Sequence, residues 1–250
     1  MKRYGLLGYP LTHSFSKRFF TEKFETENIE ASYENFEIDS IERFPDVVKN
    51  NPDVVGFNVT IPYKEQVIQF LNELNDSAQQ IGAVNTIKVK RSGDEVYLKG
   101  FNTDTFGFET ALRPLLKEHH GKALILGTGG ASKALKYVLE KLGIEYISAS
   151  IEELKDNEIR YEDIDRQMMK ERYLIINATP LGTYPKVDTF PTIPYEFITR
   201  KHLLFDLVYN PEVTQFLAKG SERGATIKNG YEMLLNQAIK SYEIWNSEEE

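Results

Sequence analysis

The chain has 250 residues, 41% of them hydrophobic and 27% charged, enough to bury one large core or two modest ones. Its formal net charge of −8 excludes general affinity for nucleic acid or an anionic membrane, so an anionic ligand would have to be held by specific groups. The absence of cysteine excludes disulfides, thiolate nucleophiles and cysteine-ligated metals.

In chain order, strands are expected at YGLLGY (4–9), SYENFEI (32–38), DVVGFNVT (53–60), TIKVK (86–90), EVYLKG (95–100), KALILG (122–127), EYISAS (145–150), YLIINA (173–178), HLLFDLV (202–208) and ATIKNG (225–230). Amphipathic segments predict helices over 14–27, 64–75, 106–118, 131–142, 211–219 and 231–246. Strands alternating with helices make an α/β protein with parallel sheets. The Ser92-Gly93-Asp94 turn instead predicts a local hairpin. The segment before Pro10 is too short for a signal h-region, and no run reaches the roughly 18 apolar residues of a membrane span, so a cytoplasmic protein is expected.

KALILGTGGASKALKYVLEKLG (122–143) has the form strand, glycine-rich turn, helix. Gly127, Gly129 and Gly130 let the backbone approach a pyrophosphate, whose charge would lie at the N-terminus of the helix beginning near Ala131. Ser132 occupies the third glycine position of the usual G-x-G-x-x-G pattern, and a tight turn without a ligand is the alternative. The next strand ends Ser148-Ala149-Ser150, followed by Glu152 and Glu153. It therefore offers neither a clean acid for a ribose hydroxyl nor a cation for a 2′-phosphate. His13, His119, His120 and His202 show no ligand spacing with a carboxylate, so no metal is expected; His119-His120 reads as favourable dipole placement.

Eight motifs occur in an order and spacing similar to those of the shikimate dehydrogenase family: GYPLTHSFS, NVTIPYK, GAVNTI, GFNTDTFGF, GTGGASKA, NATPLGT, DLVYNP and NGYEMLLNQA. The resemblance runs from about residue 5 to about residue 240. It implies an N-terminal α/β substrate domain over 1–104 with a returning C-terminal helix from 234, a Rossmann-like doubly wound nucleotide domain over 105–233, and a cleft between them. The implied reaction is reversible hydride transfer between NADPH and 3-dehydroshikimate, giving shikimate, with a small-molecule substrate as the partner and a monomer or homodimer as the assembly.

The resemblance also implies roles. Lys64 and Asp104 are the catalytic pair: a donor must stabilise the alkoxide that forms as hydride adds to a ketone, and Asp104 would orient it. Ser14 and Ser16 would hold the substrate carboxylate, although an N-cap at Ser14 is a compatible local reading. Thr60, Asn85 and Gln237 would surround the ring hydroxyls, and Tyr209 would close the pocket. Gly127, Thr128, Gly129, Gly130 and Ala131 match the pyrophosphate loop; Ser148 and Ser150 stand at the second-strand end; Thr179, Leu207 and Gly230 fall near the nucleotide. NATP could also be a strand stop, since Pro180 ends pairing and Gly182 begins a turn.

Where the family usually carries Asn-Arg-Thr for the 2′-phosphate, this chain has Ser148-Ala149-Ser150. Three explanations follow: Lys133 supplies a substitute charge, the enzyme accepts NAD as quinate/shikimate dehydrogenases do, or cofactor binding is weakened. An NAD-dependent enzyme on quinate and a non-catalytic nucleotide or metabolite sensor are the other readings of the same chain.

Overall fold

The structure, a computed structural model, describes residues 1–11 and 14–248; His13 and the last two glutamates of the acidic tail lie outside the described residues. It divides into two compact units, 1–103 with 238–250, and 104–237.

The first unit contains β1 (Lys2–Gly8), α1 (Phe15–Thr26), β2 (Ala31–Glu37), α2 (Phe44–Asn50), β3 (Val54–Val59), β4 (Glu73–Leu74), α3 (Asp76–Ile81), β5 (Thr86–Ser92) and β6 (Glu95–Phe101). Its sheet runs β2-β1-β3-β5-β6-β4. β1 pairs parallel with β2 and β3, whereas β5 is antiparallel to β3 and β6, joined to β6 by the expected hairpin with Gly93 at φ 59°. One face is covered by Ile41, Phe44, Val48, Val67 and their neighbours; the other carries Tyr4, Phe20, Phe24, Tyr33 and Trp245. The Trp245 indole stacks on Tyr4 and donates to the Ile87 carbonyl at 3.0 Å. A Cβ at Gly56 would overlap that indole, so the close approach requires glycine.

The second unit contains α4 (Asp104–Leu112), β7 (Lys122–Leu126), α5 (Gly130–Lys141), β8 (Glu145–Ser150), β9 (Glu158–Arg160), α6 (Arg166–Glu171), β10 (Leu174–Asn177), β11 (Leu203–Asp206), α7 (Gln215–Glu222), β12 (Thr226–Lys228) and the start of α8 (Tyr231–Asn246). Its strands are all parallel in the order β12-β11-β10-β7-β8-β9, a doubly wound arrangement whose order reverses between β7 and β10. The central strands β10 and β11 are buried throughout, which explains their unbroken apolar runs. In α5 the stripe Ala134, Leu135, Val138 and Leu139 repeats at helical spacing and is buried.

The expected helix over 64–75 does not form. A 3-10 helix at Gln66–Phe70 leads into β4. Asn72 donates its N–H to Leu98 and takes that residue's N–H on its side chain, while the Asn75 N–H bonds to Gly100, so pairing with β6 pulls the chain out of helix. The helix expected over 106–118 stops at Leu112, where Pro114 allows only a 3-10 turn, Arg113–Leu115. The helix expected from 211 starts at Gln215, where Thr214 caps it by accepting the Leu217 N–H.

The His119-His120 reading is also corrected. His120 is buried; its Nδ1 accepts the Lys117 N–H and its Nε2 faces the Lys201 carbonyl at 3.0 Å. Burial lowers its pKa, so it is a neutral latch between two loops rather than a dipole-paired cation.

Candidate active site

In the first unit, backbone bonds gather several of the singled-out residues at the C-terminal end of β3. The Thr60 N–H bonds to the Leu7 carbonyl, the Val84 N–H to the Lys64 carbonyl at 2.7 Å, and the Val59 N–H to the Asn85 carbonyl. The bend that carries Thr60 and Lys64 is thereby tied to the segment that carries Asn85. Ser14 is the N-cap of α1, its Oγ accepting the Lys17 N–H at 3.0 Å. Ser16 engages the Tyr33 phenol, whose pKa burial drives upward.

Beneath that bend lies a buried polar network that sequence reasoning missed. Asn58 donates to Asn85 O, Thr86 Oγ1 and Ser241 Oγ, and accepts the Tyr33 hydroxyl at 2.8 Å. Asn85 Oδ1 accepts the Thr103 N–H at 2.7 Å and both the Thr103 and Thr86 hydroxyls. Its oxygen is thus committed within the protein, and the side chain can serve a ligand only as a donor through Nδ2. The signal in sequence is an Asn in the middle of an otherwise apolar strand, Phe57-Asn58-Val59.

In the second unit, Gly127 follows β7 with φ 102°, a conformation that L side chains rarely adopt, and a Cβ there would lie 2.8 Å from the Thr179 methyl. The β7 and β10 ends therefore meet at the reversal of strand order. Gly129 caps α5, and a Cβ built at Gly129 or Gly130 meets nothing within 4 Å, so open space lies in front of the N-terminal N–H groups of the helix, at Gly130 and Ala131. Ser132 donates to the Gly129 carbonyl at 2.7 Å, closing the turn from inside. A cleft of about 550 Å³ opens beside Gly127, Thr128, Gly129, Glu152, Tyr161 and Thr179. Its volume, the glycine turn and the open helix start fit a dinucleotide.

Ser148 is fully buried, and its hydroxyl has no hydrogen-bond partner. Ser150 is nearly as buried; its hydroxyl lies 3.3 Å from Thr128 Oγ1 and accepts the Glu152 N–H. A second unforeseen network ties the strand ends together. Asp206 Oδ1 accepts from Asn177 Nδ2 at 2.9 Å and from the Val208 N–H at 3.0 Å, while Oδ2 accepts the Thr214 hydroxyl at 2.5 Å. Asn177 Oδ1 in turn accepts the N–H and hydroxyl of Thr179. Desolvation of the fully buried Asp206 carboxyl raises its pKa from 3.8 to about 6, against the lowering effect of these bonds. The sequence signal was two adjacent central strands each ending in a polar residue, Asn177 and Asp206.

Leu207 and Gly230 are brought into contact: the Gly230 N–H bonds to the Val208 carbonyl, and any Cβ at 230 would overlap the Leu207 carbonyl. Tyr209 is 38% exposed just beyond. Asp104 opens α4, which packs on the start of α8 through Gly107, where a Cβ would overlap the Met233 carbonyl and press on Gln237. Gln237 is buried and its Nε2 donates to the Leu234 carbonyl at 3.0 Å. Among the described residues no group of three or more His, Asp or Glu is arranged to hold a metal ion, and no helix is long and apolar enough to cross a membrane.

A doubly wound parallel sheet with a glycine turn and an open helix start at its switch point defines a dinucleotide-binding α/β protein. The model of the shikimate dehydrogenase substrate binding domain matches residues 6–87. A shikimate dehydrogenase (NADP(+)) of Clostridium beijerinckii is 36% identical over 256 residues, covering 98% of this chain and 92% of that protein. The crystal structure of shikimate dehydrogenase 1 from Peptoclostridium difficile is similar with a TM-score of 0.81 at 38% identity, over 98% of this chain and 91% of that one. That of the shikimate 5-dehydrogenase from Thermus thermophilus, in complex with NADP(H) and shikimate, has a TM-score of 0.83 at 31% identity, over 98% and 94%. The chain belongs to the shikimate dehydrogenase family.

Proposed function

We propose that this protein catalyses the reversible NADP-dependent interconversion of 3-dehydroshikimate and shikimate, the oxidoreductase step its family membership implies. The observation that carries this reading is the Gly127–Ala131 turn, in contact with Thr179 at the reversal of strand order, in a chain of this family. NADP(H), when bound there, supplies or takes up the hydride. Gly127, Thr128, Gly129, Gly130 and Ala131 would hold its pyrophosphate with backbone N–H groups, and Thr179, Leu207 and Gly230 would border its nicotinamide half.

Most of the residues proposed for the substrate belong to the unit formed by 1–103 and 238–250, and the glycine turn proposed for the nucleotide belongs to 104–237. Lys64 donates to the ketone oxygen as negative charge develops on it and accepts that proton in reverse; Asp104, the acid of the catalytic pair, orients a substrate hydroxyl. Ser14 and Ser16 donate to the substrate carboxylate. Thr60, Asn85 through Nδ2, Tyr209 and Gln237 fix the ring hydroxyls.

The test is the absorbance of the reduced nicotinamide with purified protein, shikimate or quinate, and NADP or NAD. Rapid reduction of NADP by shikimate supports the reading. Turnover confined to quinate with NAD, or none with any pair, would refute it.

A further inference from the structure

The end of β8 carries no cation, yet an NADP-dependent enzyme must hold a 2′-phosphate there. β9 pairs with β8 in parallel register, Ser148 with Glu158, Ala149 with Ile159 and Ser150 with Arg160. Arg160 therefore stands one strand spacing, about 4.8 Å, from the last residue of β8. Ala149 and Ile159 share an apolar cluster on one face of the sheet, so alternation sends Ser148, Ser150 and Arg160 to the other. On that face the Ser150 hydroxyl meets Thr128 of the glycine turn.

The guanidinium is anchored to a residue that lines the cleft. Arg160 Nη1 donates to the Glu152 carbonyl at 2.6 Å, and both Glu152 and Tyr161 line the cleft. This bond uses one of the five N–H donors of the fork, whose geometry matches a phosphate. Lys136, on the helix that follows the glycine turn, is directed elsewhere, to Glu158 at 3.5 Å and over the Tyr146 ring.

We infer that Arg160, reaching across from β9, is the residue that selects NADP by receiving its 2′-phosphate, in place of a cation on β8. The inference rests on the NADP-dependent reading above. A phosphate held by this one guanidinium gives a charge-assisted contact worth about 10- to 100-fold in affinity.

The experiment is isothermal titration calorimetry of the wild type, Arg160→Gln, Arg160→Lys and Lys133→Ala with 2′,5′-ADP, 5′-AMP, NADP and NAD, alongside thermal melts. The expected result is a loss of about 10- to 100-fold for 2′,5′-ADP and NADP in Arg160→Gln, a smaller loss in Arg160→Lys, and 5′-AMP and NAD unchanged. Equal losses for NAD and NADP would mean that Arg160 merely braces the Glu152 loop and would overturn the inference. So would unaltered 2′,5′-ADP binding in Arg160→Gln, or discrimination lost in Lys133→Ala instead. A wild type that still prefers NADP in those cases leaves the NADP reading standing; one that binds NAD in preference overturns both.

Discussion

Asp206 gives the sharpest test of the second unit's energetics. Its carboxyl is fully buried at the end of β11 and titrates near 6 rather than 3.8, chiefly because burial disfavours the charged form. The native state therefore binds a proton more tightly than the unfolded chain, and stability must fall as pH rises between these two values. Taken from 3.8 to about 6 at 1.36 kcal/mol per pH unit, the full loss is about 3 kcal/mol, reached above about pH 7. Roughly half, about 1.6 kcal/mol, is already lost at about pH 5.

Asp206→Asn removes the charge and keeps the shape. Its amide oxygen can still accept from Asn177 and Val208, and its amide nitrogen can donate to Thr214. Urea unfolding of both proteins at several pH values isolates the effect, because every other titrating group is common to the pair. The stability difference, variant minus wild type, should grow by about 1.4 kcal/mol between about pH 5 and pH 7.5. A difference independent of pH would refute the argument and mean that the three hydrogen bonds fully offset the desolvation.

Three further outcomes follow. Lys64→Ala should lower kcat by about 10²- to 10⁴-fold with a smaller change in KM, since the role proposed for the lysine is to meet charge that develops in the transition state; steady-state kinetics with shikimate read this, and near-normal turnover would remove Lys64 from the proposed chemistry. Gly56→Ala should destabilise the first unit by about 1–3 kcal/mol as the new methyl displaces Trp245, the single tryptophan of the chain, whose emission also reports the shift. His202, buried with Nδ1 accepting the Thr199 N–H and Nε2 facing the Met169 carbonyl, has a lowered pKa. Below the unfolded value of about 6.5 the unfolded chain takes the proton first, so stability falls as pH falls, and His202→Gln should flatten that acid limb in urea titrations.

The doubly wound sheet was legible because the periodicity of its elements and the glycine turn are local properties: β7, β8, β10 and β11 fall within a residue or two of the apolar runs that announce them. The segment after Lys64 was not legible, because its conformation is decided by pairing with β6, with Asn72 meeting Leu98, 26 residues away in sequence. β9 was missed because Glu158-Ile159-Arg160 is three residues long and lies at the sheet edge, where only one face needs an apolar side chain. The candidate site residues could be named from motif order. The groups that hold their loops, Asn58, Thr86, Asn177, Asp206 and Thr214, could not, since each acts through a partner distant in sequence.

The two networks do similar work with different chemistry. In the first unit, amides and hydroxyls fix Asn85 and the bend that carries Thr60 and Lys64, and none of Asn58, Asn85, Thr86, Thr103 or Ser241 titrates in the working range. In the second, one carboxylate fixes Thr179 through Asn177 and the chain after β11 through Val208, at a net penalty of about 3 kcal/mol when ionised, after its hydrogen bonds have offset part of the desolvation. A neutral side chain at 206 would avoid that penalty but offer fewer lone pairs to three donors converging from β10, the loop after β11 and the cap of α7. The carboxylate thus holds the ends of β10 and β11 and the cap of α7 in one arrangement at a cost in stability. It follows that pH should modulate the second unit's stability through Asp206 while leaving the polar network beneath Asn85 untouched.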